Sequence, residues 1–324
     1  MVVAHARAIA TSEPGHGVTL AVGVDIGGTK VAAGLVDSAG RVHHVVGRPT
    51  PRSPDQVLVC VVDLIAELAA AAQPARLSVV GVGTPGVIDR ATGSVDYGSS
   101  ILPEWSATPV REFLAETTGF EIVVENDSRV MAYGEAMAGA GREFEDALYV
   151  SVGTGVGGAF VQAGALVRGP HNAAGELAHV LVPKPGAISC GCGKADHLEA
   201  VVSGPAIAAR YLHETGDQLV LQELVTRIAG GDLVAQRVLT EAATTLGRAL
   251  AGLLAFRDSQ AIIVGGGVAQ IGTPFLVPVN RAFRAEAIPP LRGVPVLAAA
   301  LGRQGPLIGA ALLALRAGRA ASEV

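Results

Sequence analysis

Two glycine-rich segments, far apart in the chain, constrain its fold more than anything else. Val24-Asp25-Ile26-Gly27-Gly28-Thr29-Lys30 and Val152-Gly153-Thr154-Gly155-Val156-Gly157-Gly158 each follow a β-branched apolar run. Each also leads into another apolar run, 31–36 in the first case and 159–161 in the second. The pattern is strand, tight glycine turn, strand, written twice. Bare backbone N–H groups in such turns let phosphate oxygens approach closely. One turn in each half of the chain points to a cleft that grips a nucleotide phosphate tail from both sides.

A length of 324 residues predicts two domains. Half of the residues are hydrophobic and only 4% are aromatic, so a large core must be built mainly from Ala, Val and Leu. The net charge is −5 and there is no basic tract, which argues against nucleic acid as a main partner. Residues 1–20 lack the sustained apolar stretch of a signal peptide, and no long apolar window is free of charge. Three cysteines do not make a disulfide framework. A cytoplasmic protein without a membrane segment is the expectation.

Residues 1–18 read as a loose tail. Strands are predicted at 20–25, 31–37 and 42–47, then a helix over 55–72 that ends near Pro74, a buried strand at 77–82 running into Gly83-Thr84-Pro85-Gly86, and a short helix over 109–117. A strand at 121–125 and a helix at 127–138 follow. The second half repeats the theme, with strands at 147–152 and 159–167, helices at 201–213 and 232–256, and a strand at 261–264 ending in Gly265-Gly266-Gly267. A strand at 294–299 and an apolar helix over 306–317 close the series. Strand-rich starts followed by alternation in both halves indicate an α/β protein with a pseudo-duplicated core.

The second glycine segment formally contains GxGxxG, but a strand rather than a helix follows it, so a dinucleotide-binding turn is rejected. The order Gly-Gly-Thr-Lys at 27–30 is not a Walker A loop either. Glu125-Asn126-Asp127 stands where a strand gives way to a helix, and a helix N-cap is the simplest reading. The alternative is a carboxylate at a strand end that accepts a proton from a substrate hydroxyl. His179, Cys190, Cys192 and His197 lie among glycines, and two thiolates with two imidazoles suit a four-coordinate zinc. A glycine loop with free thiols is the competing reading. Cys60 and Trp105 read as core residues.

Together these residues resemble the ROK family (repressors and sugar kinases) of the actin-like ATPase and sugar kinase superfamily, over nearly the whole chain from about residue 20. Asp25 to Lys30 is similar to the family's first phosphate motif and Gly153 to Gly158 to the second. Asn126-Asp127, with Gly134-Glu135 downstream, is similar to the catalytic segment. Gly175-Glu176 and His179 resemble the sugar-binding motif, Cys190 through Glu199 the zinc motif, and Gly265-Gly266-Gly267 the turn near the adenosine.

The resemblance implies an α/β, two-lobed actin-like ATPase (ribonuclease H-like) fold with a pseudo-duplicated core and an interlobe cleft. The expected lobes are 1–117, completed by a C-terminal helix over 304–324, and a larger lobe over 118–303 that carries the zinc loop. The implied activity is ATP-dependent phosphorylation of a hexose at its 6-hydroxyl, glucose first, with N-acetylmannosamine the alternative. Asp127 would be the general base. Gly86, Asn126, Glu176, His179 and Glu199 would bind the sugar. Asp25, Gly27, Gly28, Thr29, Lys30, Gly153, Thr154, Gly155, Gly157, Gly265 and Gly266 would bind ATP with Mg²⁺, with Asp25 reaching the metal through water. His179, Cys190, Cys192 and His197 would hold a structural Zn²⁺. Homo-oligomers, dimers or tetramers, are implied as well.

The chain departs from the family pattern at four positions: His197 replaces a cysteine, Asp196 and Ala178 replace glycines, and Ile101 replaces an asparagine. A sugar-responsive repressor would need a helix-turn-helix before the first phosphate motif, and the 24 residues ahead of Asp25 are neither basic nor periodic.

Overall fold

A computed structural model describes residues 19–72, 77–98, 101–182 and 188–322. The loose tail expected over 1–18 and the Pro74 helix stop lie outside the described residues. The chain divides into two compact units, 1–142 with 169–172 and 303–324, and 143–168 with 173–302.

The first unit opens with three antiparallel strands, β1 (Leu20–Ile26), β2 (Lys30–Asp37) and β3 (Val42–Pro49), followed by helix α1 (Pro54–Ala71). Strand β4 (Leu77–Thr84), the small hairpin β5 (Val87–Ile88) and β6 (Val95–Tyr97), helix α2 (Val110–Thr118), strand β7 (Glu121–Asn126) and helix α3 (Asp127–Ala138) complete its N-terminal part. The main sheet runs β3-β2-β1-β4-β7, with β4 parallel to both β1 and β7. β7 and α3, expected to begin the second lobe, belong here because β7 pairs with β4 from Val79↔Glu121 to Thr84↔Asn126.

The unit is closed by the C-terminal helix Gly305–Ser322, and glycines let its backbone come close. A Cβ on Gly23 or Gly81 would stand 1.9 Å from the carbonyl oxygens of Leu307 and Ala310. Gly309 packs in the same way on α3, where its Cβ would lie 1.6 Å from the Val130 carbonyl oxygen. Gly134 faces the Gly305 carbonyl oxygen at 2.6 Å on the same measure. Any side chain at these points would force the layers apart.

The second unit contains β8 (Asp146–Val152), β9 (Val156–Gln162), β10 (Ala165–Val167), α4 (Glu199–Val202), α5 (Gly204–Thr215), α6 (Leu221–Ala229), α7 (Leu233–Arg257), β11 (Ala261–Gly265), α8 (Thr273–Glu286) and β12 (Val296–Ala298). Its sheet order, β10-β9-β8-β11-β12, reproduces the first: an antiparallel meander, then parallel strands. The duplication inferred from sequence is therefore a duplication of topology.

Three expectations change. The run 159–167 is a hairpin, not one strand, since Ala163 and Gly164 both take positive φ and form a two-residue turn. The helix expected over 201–213 is two helices, broken at Ser203, whose hydroxyl caps α5 ahead of Pro205. Helices α6 and α8 are additional. Among the described residues no helix is long and apolar enough to cross a membrane.

Candidate active site

In the first unit, parallel strands β1, β4 and β7 end together at Asp25, Thr84 and Asn126. Carboxyl ends of neighbouring parallel strands are where such sheets present side chains to ligands. The glycine turn after Asp25 is closed by Gly27 N–H donating to the Lys30 carbonyl at 3.0 Å, and Thr50 Oγ1 donates to the Gly27 carbonyl at 2.6 Å. Gly28 leaves room for Ile101, whose Cγ2 would lie 2.5 Å from a Cβ there.

Asn126, not Asp127, caps α3. Its Oδ1 accepts from Ser128 N–H at 3.0 Å and Arg129 N–H at 3.2 Å, while its Nδ2 donates to the Gly86 carbonyl at 3.1 Å. This leaves Asn126 one N–H for a substrate and gives Gly86 (φ 105) a structural role in holding it. Asp127 is half-buried, and its Oδ1 accepts from Ser128 N–H at 2.7 Å. Burial pushes the Asp127 carboxyl above the usual carboxylate range, against the hydrogen bonds from Ser128. Asp25 is pushed up to about 7 by burial and then by the charge of Asp127, with Lys30 opposing. Behind them, Arg129 is 1% exposed, lies 3.3 Å from the Glu125 carboxylate and donates to the Asn172 carbonyl. Gly134-Glu135 lies in the last turns of α3, where buried Glu135 accepts from Ala140 N–H at 2.8 Å.

In the second unit, the turn Gly153–Val156 joins β8 to β9. The third glycine segment lies on it: a Cβ on Gly266 (φ 89) would stand 2.4 Å from the Val152 carbonyl oxygen, and Val268 N–H donates to that oxygen at 2.9 Å. Gly158 and Gly175 pack backbone to backbone, since a Cβ on Gly175 would be 2.5 Å from the Gly158 carbonyl oxygen. That contact sets half-buried Glu176 and exposed His179 beside β9. Glu199 is close too, with Oε2 accepting from Val156 N–H at 2.9 Å. Gly153, Thr154, Gly155, Gly157, Glu176, Glu199, Gly265 and Gly266 are thus brought into one neighbourhood of this unit.

His179, Cys190, Cys192 and His197 offer ligand atoms that all lie within 4.8 Å of one another. His179 Nδ1 is 3.3 Å from His197 Nδ1, which is 3.2 Å from Cys192 Sγ. Tetrahedral zinc with ~2.05 Å nitrogen and ~2.3 Å sulfur bonds has ligand–ligand edges of roughly 3.4–3.8 Å; these two separations come near that range, and two thiols with two imidazoles are a donor set that suits the ion. Burial pushes the Cys190 thiol up, the shift a cation would reverse. Asp196 takes φ 60, the left-handed conformation that explains a glycine in the family pattern and that aspartate tolerates. Its Oδ1 accepts from Ile188 N–H at 2.9 Å, which steadies the loop ahead of His197.

Cys60 and Trp105 are core residues as expected; the indole Nε1 donates to Thr84 Oγ1 at 2.8 Å. Sequence reasoning missed Arg129, which the Glu125 spacing of four residues hints at, and Val156 and Gly204, which act through backbone groups and leave no sequence signal.

The ROK family profile matches residues 21–317. The chain is 31% identical to a glucokinase of Streptomyces coelicolor over 91% of its length and 97% of that protein. It is 32% identical to an N-acetylmannosamine kinase of Escherichia coli, with 90% and 97% covered. A crystal structure of a ROK family glucokinase from Streptomyces griseus, in complex with glucose and AMPPNP, superposes with a TM-score of 0.83 at 32% identity and covers 92% of this chain and 99% of that one.

Proposed function

The chain belongs to the ROK family and has its actin-like ATPase fold, and we propose that it transfers the γ-phosphoryl group of ATP to the 6-hydroxyl of a hexose, glucose first. The observation that carries this reading is the division of labour at the start of α3. Asn126 satisfies the helix terminus, so the Asp127 carboxylate is not needed for capping and can serve as a base.

In the proposed reaction Asp127 takes the proton from the sugar hydroxyl as its oxygen bonds to the γ-phosphorus. The bond from phosphorus to the bridging oxygen breaks, leaving ADP and a sugar 6-phosphate. Backbone N–H groups of the two glycine turns hold the phosphates, with Lys30 beside the first. Mg²⁺, when bound, neutralises phosphate charge, and Asp25 is the carboxylate that would hold it. Glu176, His179 and Glu199 accept and donate hydrogen bonds to ring hydroxyls, so a sugar lacking one leaves a polar group unpaired. His179, Cys190, Cys192 and His197 would hold a structural zinc, which would steady the loop that carries them beside the sugar residues. The cytoplasm is the proposed location.

N-acetylmannosamine is the second substrate reading, favoured by the Escherichia coli relative. A coupled assay of ADP release with glucose, mannose, fructose, N-acetylglucosamine and N-acetylmannosamine should show the fastest turnover with glucose. Asp127→Asn should lower kcat by about 10²–10⁴-fold while sugar binding survives. ADP release that no sugar stimulates would remove the kinase reading, and full activity of Asp127→Asn would remove the base.

A further inference from the structure

One side chain assigned to the sugar is also bonded to the phosphate turn. The Glu199 Oε2 accepts from Val156 N–H at 2.9 Å, at the point where the second glycine turn becomes β9. Five residues further on, Gly204 N–H donates to the Gly153 carbonyl at 2.8 Å, at the other end of the same turn. A Cβ on Gly204 would lie 3.2 Å from that carbonyl oxygen, so the contact is a close one. The segment 199–204 therefore spans the turn and is bonded to both of its ends. The same segment is continuous with the His/Cys cluster. His197 is a cluster member, Leu198 is fully buried, and Leu198 N–H donates to the Val180 carbonyl at 2.8 Å, next to His179.

We propose that Glu199 is a positioning residue for the nucleotide phosphates: it fixes the second glycine turn and links the shape of that turn to the His/Cys cluster. The turn Gly153–Val156 has glycine at two of its four positions and is intrinsically loose. A carboxylate that receives Val156 N–H holds one end, and the ordering entropy is then met before the nucleotide arrives. The second carboxylate oxygen of Glu199 stays available for the sugar. One side chain thus serves both substrates, through two oxygens.

The inference rests on the kinase reading, and the experiment separates the two. Affinity for the magnesium complex of AMPPNP is measured by calorimetry on sugar-free protein, for the unmodified chain, Glu199→Ala and Glu199→Gln. The amide oxygen of glutamine still accepts from Val156 N–H, so Glu199→Gln should bind within about twofold of the unmodified chain. Glu199→Ala should bind on the order of tenfold more weakly, the loss of one charge-assisted bond to a backbone donor. Should circular dichroism show that Glu199→Ala does not fold, Glu199→Asp, which keeps the charge but shortens the reach, should show the same weakening. Unchanged nucleotide affinity in the alanine or aspartate variant overturns the inference, as does equal weakening in the glutamine variant. An unmodified chain that binds no nucleotide would instead refute the kinase reading.

Discussion

Asp25 at the end of β1 and Asp127 at the start of α3 share one environment. Burial first, and the Asp127 charge second, carry the Asp25 carboxyl up to about 7. Between about pH 4 and 7 the folded, ligand-free protein therefore binds more proton at Asp25 than the unfolded chain, whose carboxyl sits near 3.8. A raised carboxyl favours folding at low pH and loses that advantage as pH rises, here between about 4 and 7. Asp25→Asn should remove this slope. At pH 8 the ligand-free variant should melt at a higher temperature than the unmodified protein, and the gap should close towards pH 4. Thermal melts of both proteins across this range decide the matter; parallel curves would contradict the shift.

Arg129 carries a charge at 1% exposure, balanced by Glu125 and by the Asn172 carbonyl. Breaking one half of a buried pair leaves the other half uncompensated, at about 3–5 kcal/mol. Arg129→Met should therefore lower the melting temperature by roughly 10 °C. Pairing it with Glu125→Gln, which removes the stranded charge, should recover part of the loss. A single variant as stable as the parent would show that the pair contributes nothing.

The mixed ligand set makes a separate prediction. Metal analysis of purified protein should find about one zinc per chain. His197→Ala should lose it, whereas His197→Cys should retain it, because thiolate suits the same tetrahedral geometry. Removing the metal with a chelator should expose residues 188–197 to proteolysis. It should also weaken nucleotide binding, in the manner of Glu199→Ala. Zinc-free protein with an intact loop would refute the assignment.

The residues that sequence reasoning placed correctly are those whose backbone needs are local. Helix α3 has its predicted bounds because Asn126 caps it and Gly139 follows it. Both glycine turns were legible as turns because glycine between β-branched runs marks a tight strand-to-strand connection. The hairpin at Ala163-Gly164 was hidden because alanine gives no sign of the positive φ it takes there. Helix α8, unassigned from the sequence, carries Pro274 in its first turn and Pro278 in its interior, against helix propensity. It forms because Phe275, Val279 and Phe283 are fully buried in the second core, and tertiary packing overrides propensity. The cap at Asn126 was favoured over a catalytic role for the pair, yet the structure gives capping to Asn126 and leaves Asp127 beside Asp25. Adjacent residues of similar chemistry cannot be told apart by spacing alone.

The helix Gly305–Ser322 seals the first unit, yet the ribosome makes it after every residue of the second. At ~5–20 residues per second, the nascent first sheet waits on the order of ten seconds with the groove around Gly23, Gly81 and Val130 uncovered. During that interval an apolar surface is open to chaperones and to aggregation, so maturation of the half bearing Asp127 is tied to synthesis of residues 305–322.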